Sequence, residues 1–112
     1  LEAEAYNGPS IIIAYSHCIA HGYDMCHGLE QQSNAVNSGY WPLFRFNPQK
    51  EKGQRFTIDS KTPAVALEEF LYHENRFTTI KNNFPEKGEE FLHLANDTVK
   101  NRWERLQVLK EL

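Results

Sequence analysis

The chain has 112 residues, 40% hydrophobic and 24% charged, with a formal net charge of −3, which suits one modest globular domain or part of one. That balance, with no Lys/Arg-dense run and no basic–aromatic stripe, gives no reason to expect nucleic-acid binding. No run approaches the ~18 apolar residues of a membrane helix and none reads as a signal peptide, while two cysteines point to reduced thiols in the cytoplasm rather than a disulfide scaffold.

Leu1 to Tyr6 reads as the last turns of a helix that Asn7-Gly8-Pro9 ends. Amino termini seldom begin inside an amphipathic helix, so preceding sequence is expected. Ser10 to Ser16 is centred on Ile11, Ile12 and Ile13 and has no polar face. This is the pattern of a strand buried on both sides in a parallel sheet covered by helices, an α/β arrangement. Each isoleucine would then contribute roughly 1.5–3 kcal/mol. Deprived of sheet neighbours, the same strand would expose apolar surface and invite pairing between copies. His17 to His27 is irregular. Gly28 to Asn37 reads as a short helix with Leu29, Gln32, Ala35 and Val36 on one side, stopped by Ser38-Gly39.

Tyr40 to Phe46 is aromatic-rich, and Pro42 limits it to an edge strand or an extended arm. A polar loop leads to a short strand over Gln54–Asp59 with Phe56 and Ile58 on one side. Thr62-Pro63 resembles an N-cap followed by proline at the first helical position. The spacing of Leu67, Phe70, Leu71, Phe77 and Ile80 carries that helix to about Asn82. Phe84-Pro85 breaks it. From Glu86 a second helix places Leu92, Ala95, Val99, Trp103, Leu106 and Leu109 on one stripe, and the two form an antiparallel pair.

The densest polar cluster is His17, Cys18, His21, Cys26 and His27. In open α/β sheets ligands gather beyond the carboxyl ends of strands, which makes Cys18 the first candidate. A small zinc-stabilised domain could use His17, Cys18, His21 and Cys26. Structural zinc sites, however, pair cysteines two to four residues apart, and here the two thiols stand much further apart along the chain. The plainer reading makes His21 and His27 loop residues with satisfied hydrogen bonds. There is no G-x-S-x-G, no Gly-rich phosphate loop, and Ser16 and His17 point apart on an extended chain. Carboxylates on the last two helices read as solvated surface. Trp41, Phe44 and Phe46 read as core or interface packing. A non-enzymatic interaction module, docking through the aromatic arm and the helix pair, is therefore a second reading.

Three phrases occur in one order: Gly8-Pro-Ser-Ile-Ile-Ile-Ala-Tyr-Ser-His-Cys-Ile-Ala-His-Gly22, Ser38-Gly-Tyr-Trp-Pro-Leu-Phe-Arg-Phe-Asn-Pro48, and Ile58-Asp-Ser-Lys-Thr-Pro63. Together they resemble pyruvate:ferredoxin (flavodoxin) oxidoreductase, at the C-terminal part of its thiamin-diphosphate-binding domain. The resemblance covers nearly the whole chain, most strongly residues 8–77. It implies an enzyme that decarboxylates pyruvate on thiamin diphosphate with Mg²⁺. Electrons pass singly through three 4Fe–4S clusters to ferredoxin or flavodoxin, and the acetyl group goes to coenzyme A. Cys18, in the A-Y-x-x-C-I phrase, is implied as the fourth ligand of the cluster nearest the thiamin, a thiolate role that suits its chemistry. Cys26 matches no ligand position. The resemblance makes residues 1–60 the C-terminal edge of the thiamin-binding domain, with Ser10–Ser16 as its last core strand. It makes residues 61–112 a helical extension packing on the rest of the enzyme and on the second subunit of a homodimer. The thiamin signature, G-D-G and a later asparagine, is missing, as is the Y-S-N-T-G-G-Q phrase. This chain alone is therefore expected to hold neither thiamin diphosphate nor Mg²⁺, nor a complete cluster, and to be inactive.

Overall fold

A computed structural model describes residues 1–112. Its longest element, α5 (Pro85–Leu109), begins where Pro85 stands in the first helical turn after the non-helical Phe84 (φ −140°, ψ 73°), since proline there loses no hydrogen bond. Its stripe of Leu92, Ala95 and Val99 lies against a core formed by Ala35 of α2 (Gly28–Asn37) and Leu67, Phe70 and Leu71 of α3 (Leu67–Leu71). Tyr15, Tyr40 and Trp41 pack on the same core, with the Tyr40 ring 4.7 Å from that of Phe70. Between α3 and α5 runs α4 (Asn75–Asn83). Only Phe84 separates α4 from α5, and Gly88 makes the corner possible: a Cβ there would stand 2.8 Å from the Lys81 Cα.

A short α1 (Glu2–Ala5) opens the chain, and two 3₁₀ turns, Ile19–His21 and Met25–His27, precede α2. α2 closes at Ser38, followed by Gly39 at φ +75°. The glycine is required twice over, because a Cβ there would also meet Pro63 Cγ at 2.8 Å. Beyond it, β1 (Phe44–Phe46) pairs antiparallel with β2 (Phe56–Ile58) in the register Phe44 to Ile58 and Phe46 to Phe56. Arg45 donates to Asp59 through two nitrogens and to Glu2 at 2.7 Å, tying α1 to this hairpin. No helix is long and apolar enough to cross a membrane.

The molecule is thus mostly helical with one two-stranded hairpin, and not the α/β arrangement expected. Ser10 to Ser16 forms neither helix nor strand, and Ile11, Ile12 and Ile13 are 86%, 80% and 74% exposed. The β-branched run is suited to a sheet, yet a ladder needs hydrogen-bonded neighbours, and the sole sheet of the structure lies elsewhere.

The single helix expected over 62–82 is also corrected. Thr62 caps nothing; instead the Ala64 and Val65 amides donate to the Asn37 carbonyl, which draws this stretch onto the end of α2. Helix starts only at Leu67, stops after Leu71 and restarts at Asn75, because Glu74 is extended (φ −112°, ψ 126°) with its side chain turned into the interior. On α2, Leu29 is 83% exposed while Gln31 is buried, so the inward face is displaced from the one expected. Leu109 also lies outside the covered stripe of α5.

Phe70 is fully buried, so Phe70→Ala is expected to cost about 3 kcal/mol or more, and Leu29→Ala to stay within about 0.5 kcal/mol. Chemical denaturation of the chain checks this; equal midpoints for the two variants would contradict the assigned core.

Candidate functional site

Cys18 lies on a stretch of non-repetitive backbone whose two ends are fixed by different helices. On the upstream side Gln32 of α2 grips both neighbours of Ser16. Its Nε2 donates to the Tyr15 carbonyl, and its Oε1 accepts from the His17 amide at 2.9 Å. The His17 ring covers Gly28, where a Cβ would come within 2.9 Å of it. The Tyr15 ring sits 5.3 Å from Trp41, 5.9 Å from Tyr40 and 6.1 Å from His21. Cys18 itself is extended (φ −146°, ψ 143°) and leads into the 3₁₀ turn, where its carbonyl accepts from the His21 amide at 3.0 Å.

The downstream end closes at Gly22, left-handed at φ 74°, whose carbonyl accepts from the Asn75 amide at 2.9 Å. A Cβ on Gly22 would meet that of Asn75 at 2.7 Å, so no other residue lets α4 approach this closely. The Cys18 side chain is left exposed, beside Ile19 at 77% exposure.

Beneath the turn is a buried polar network centred on Glu74, which is 1% exposed. Gln31 Nε2 donates at 3.0 Å both to Glu74 Oε1 and to the Phe70 carbonyl. Arg76 Nε donates to Glu74 Oε2, and Arg76 Nη2 donates at 2.9 Å to the Tyr15 hydroxyl. His21 Nδ1 lies 3.7 Å from Glu74 Oε1 and is buried without a hydrogen bond, as is the Tyr23 hydroxyl. Burial and the Glu74 charge push both the Tyr15 and Tyr23 hydroxyls up. Arg76 is raised as well: burial opposes its charge, but the hydrogen bond and charge of Glu74 prevail.

His21 is therefore not the satisfied loop histidine expected from the sequence. It faces a buried carboxylate. Reading the carboxylates of the last two helices as solvated surface fails at Glu74, which falls three residues after Leu71 and three before Phe77, inside the apolar stripe. An acid at such a position signals a buried, paired carboxylate.

The five His and Cys residues do not converge. No three His, Cys, Asp or Glu side chains form a group able to hold a metal ion. His17 engages Gln32, with its Nδ1 3.2 Å from Oε1, and His21 faces Glu74. Exposed His27 lies 3.8 Å from Asp24, whose Oδ1 accepts from the Cys26 amide at 2.9 Å. This removes the basis for the zinc-stabilised reading. Cys18 offers one accessible thiol on a turn fixed at both ends, the kind of donor an iron–sulfur centre takes. Three further ligands would have to come from outside these residues.

No family model matches the chain. It is 45% identical over 109 residues to the pyruvate-flavodoxin oxidoreductase of Rhodospirillum rubrum, covering 96% of this chain and 9% of that protein. It is 44% identical over 113 residues to the pyruvate:ferredoxin oxidoreductase of Moorella thermoacetica, covering 99% and 10%. The chain is homologous to a segment of the pyruvate:ferredoxin and pyruvate:flavodoxin oxidoreductases. It spans about a tenth of the length of these curated relatives. Similarity to these oxidoreductases extends to the pyruvate dehydrogenase [NADP(+)] of Cryptosporidium parvum, 40% identical over all of this chain and 6% of that protein.

The Cys26 thiol is pushed up by its hydrogen bond to Asp24 and by that carboxylate's charge. Asp24→Asn should therefore lower it and speed iodoacetamide alkylation of Cys26 near pH 8, leaving Cys18 unchanged as an internal control. An unaltered Cys26 rate, followed by mass spectrometry of the labelled peptide, would contradict this pairing.

Proposed function

We propose that the chain is the C-terminal portion of a cytoplasmic oxidoreductase that oxidatively decarboxylates pyruvate with coenzyme A, giving acetyl-CoA and CO₂ and reducing ferredoxin or flavodoxin. The observation that carries this reading is identity of 44–45% to pyruvate oxidoreductases across nearly the whole chain. The relatives are named for flavodoxin, ferredoxin and NADP(+); ferredoxin or flavodoxin is favoured because the relatives named for them are the more similar. Thiamin diphosphate, Mg²⁺, pyruvate and coenzyme A are held by residues outside this segment, which alone is inactive.

Within that enzyme, residues 1–60 form the C-terminal edge of the thiamin-diphosphate-binding domain, and residues 61–112 pack on the remainder and on the second subunit of a homodimer. The exposed Ile11–Ile13 run supports burial against such a remainder, since apolar residues are seldom left together in water. Cys18 supplies the fourth thiolate of the 4Fe–4S cluster nearest the thiamin. When bound, that cluster takes up and passes on single electrons. Cys18 presents its sulfur, and the fixed backbone on either side holds the sulfur in place.

In the full-length enzyme, Cys18→Ser should remove or damage one of the three clusters, lowering iron content by up to about a third and slowing reduction of ferredoxin. Iron analysis and electron paramagnetic resonance check this. Retention of all three clusters with unaltered spectra would overturn the assignment.

A further inference from the structure

The geometry points to Glu74 as a positioning residue for the Cys18 thiolate, acting through the turn at Ile19–Gly22. This rests on the reading of Cys18 as a cluster ligand and names a residue that serves it. Glu74 is the best-buried charged side chain in the molecule, and it is the point where three parts of the Cys18 segment meet α2 and α4. Upstream, Arg76 bridges the carboxylate to the Tyr15 hydroxyl. Downstream, His21 Nδ1 faces the same carboxylate at 3.7 Å. At the end of the turn, the residue directly after Glu74 donates its amide to the Gly22 carbonyl.

Cys18 thus hangs between Tyr15 and His21, and both refer to one carboxylate. Because Glu74 is extended rather than helical, its side chain reaches the interior while α4 starts under Gly22. Removing the carboxylate would leave Arg76 Nε without its acceptor, Gln31 with the Phe70 carbonyl alone, and His21 without the group it faces. The turn would then settle differently relative to α2. A cluster bound through Cys18 would feel this as a change in solvent exposure and in hydrogen bonding around its sulfurs, both of which set its potential.

The test uses the full-length holoenzyme. Glu74→Ala should retain the iron of all three clusters, yet shift the paramagnetic resonance signal and midpoint potential of one. That one should be the cluster Cys18→Ser removes. Glu74→Gln, which keeps one of the two acceptor oxygens that Gln31 and Arg76 use, should give a smaller shift of the same sign. Leu106→Ala, a core truncation on α5, should shift none, which separates positioning from general loosening. If Glu74→Ala fails to accumulate, His21→Phe serves in its place: it keeps a ring against Tyr15, removes the imidazole, and should shift the same cluster. Unshifted signals in Glu74→Ala, or in His21→Phe where that is the variant measured, would overturn the positioning role even though Cys18→Ser loses a cluster. If Cys18→Ser keeps all three clusters, the ligand reading itself fails, and this inference with it.

Discussion

A carboxylate withdrawn from water, that of Glu74, ties α2 and α4 to the turn that carries His21. Burying an ionised group costs several kcal/mol unless partners replace its hydration. Glu74, 1% exposed, obtains them from Gln31 on α2 and Arg76 on α4. Meeting that demand fixes much else. The backbone leaves helical geometry at Glu74, dividing α3 from α4. α2 turns Gln31 inward and leaves Leu29 in solvent. Arg76, held in place, reaches the Tyr15 hydroxyl and pins the segment that carries Cys18.

Around this node the structure divides into a covered part and an uncovered one. The covered part is the small cluster of Ala35, Leu67, Phe70 and Leu71 with the aromatic rings laid over it. The uncovered part includes Ile11–Ile13 and Ile19, all at least 74% exposed, and Phe44, Phe46 and Phe91, at about half exposure. Exposed apolar residues in this number belong with interfaces rather than with free surface. Homology to proteins about ten times longer fits the same picture, in which the chain is shaped to lie against more polypeptide than its own.

Much of the local structure was legible because it is decided locally. The helix over Gly28–Asn37 and its stop at Ser38-Gly39 follow from a polar amphipathic run meeting a glycine that must be left-handed. The break at Phe84-Pro85 and the α5 stripe follow from proline chemistry and a 3.6-residue repeat. The short strand around Phe56 and Ile58 follows from its aromatic and β-branched residues, with Phe56 as its buried member. What escaped is decided by partners distant in sequence. Ser10–Ser16 carries a strand's pattern without a neighbour to pair with. Residues 62–82 have a helix's periodicity, but the Asn37 carbonyl and the burial of Glu74 overrule it. Cys18 is different again: its side chain is exposed, and its assignment comes from the phrase that contains it, with the geometry showing how the turn is held.

Hydrogen exchange read residue by residue tests the Glu74-centred clamp most directly. If the carboxylate node holds the Cys18 segment, the amides of His17, His21, Gly22 and Asn75, each hydrogen-bonded, should exchange slowly. Residues 11–13, which are exposed, should exchange freely. Equal and rapid exchange across both stretches would show that nothing secures the turn, and would contradict a clamp built on Glu74.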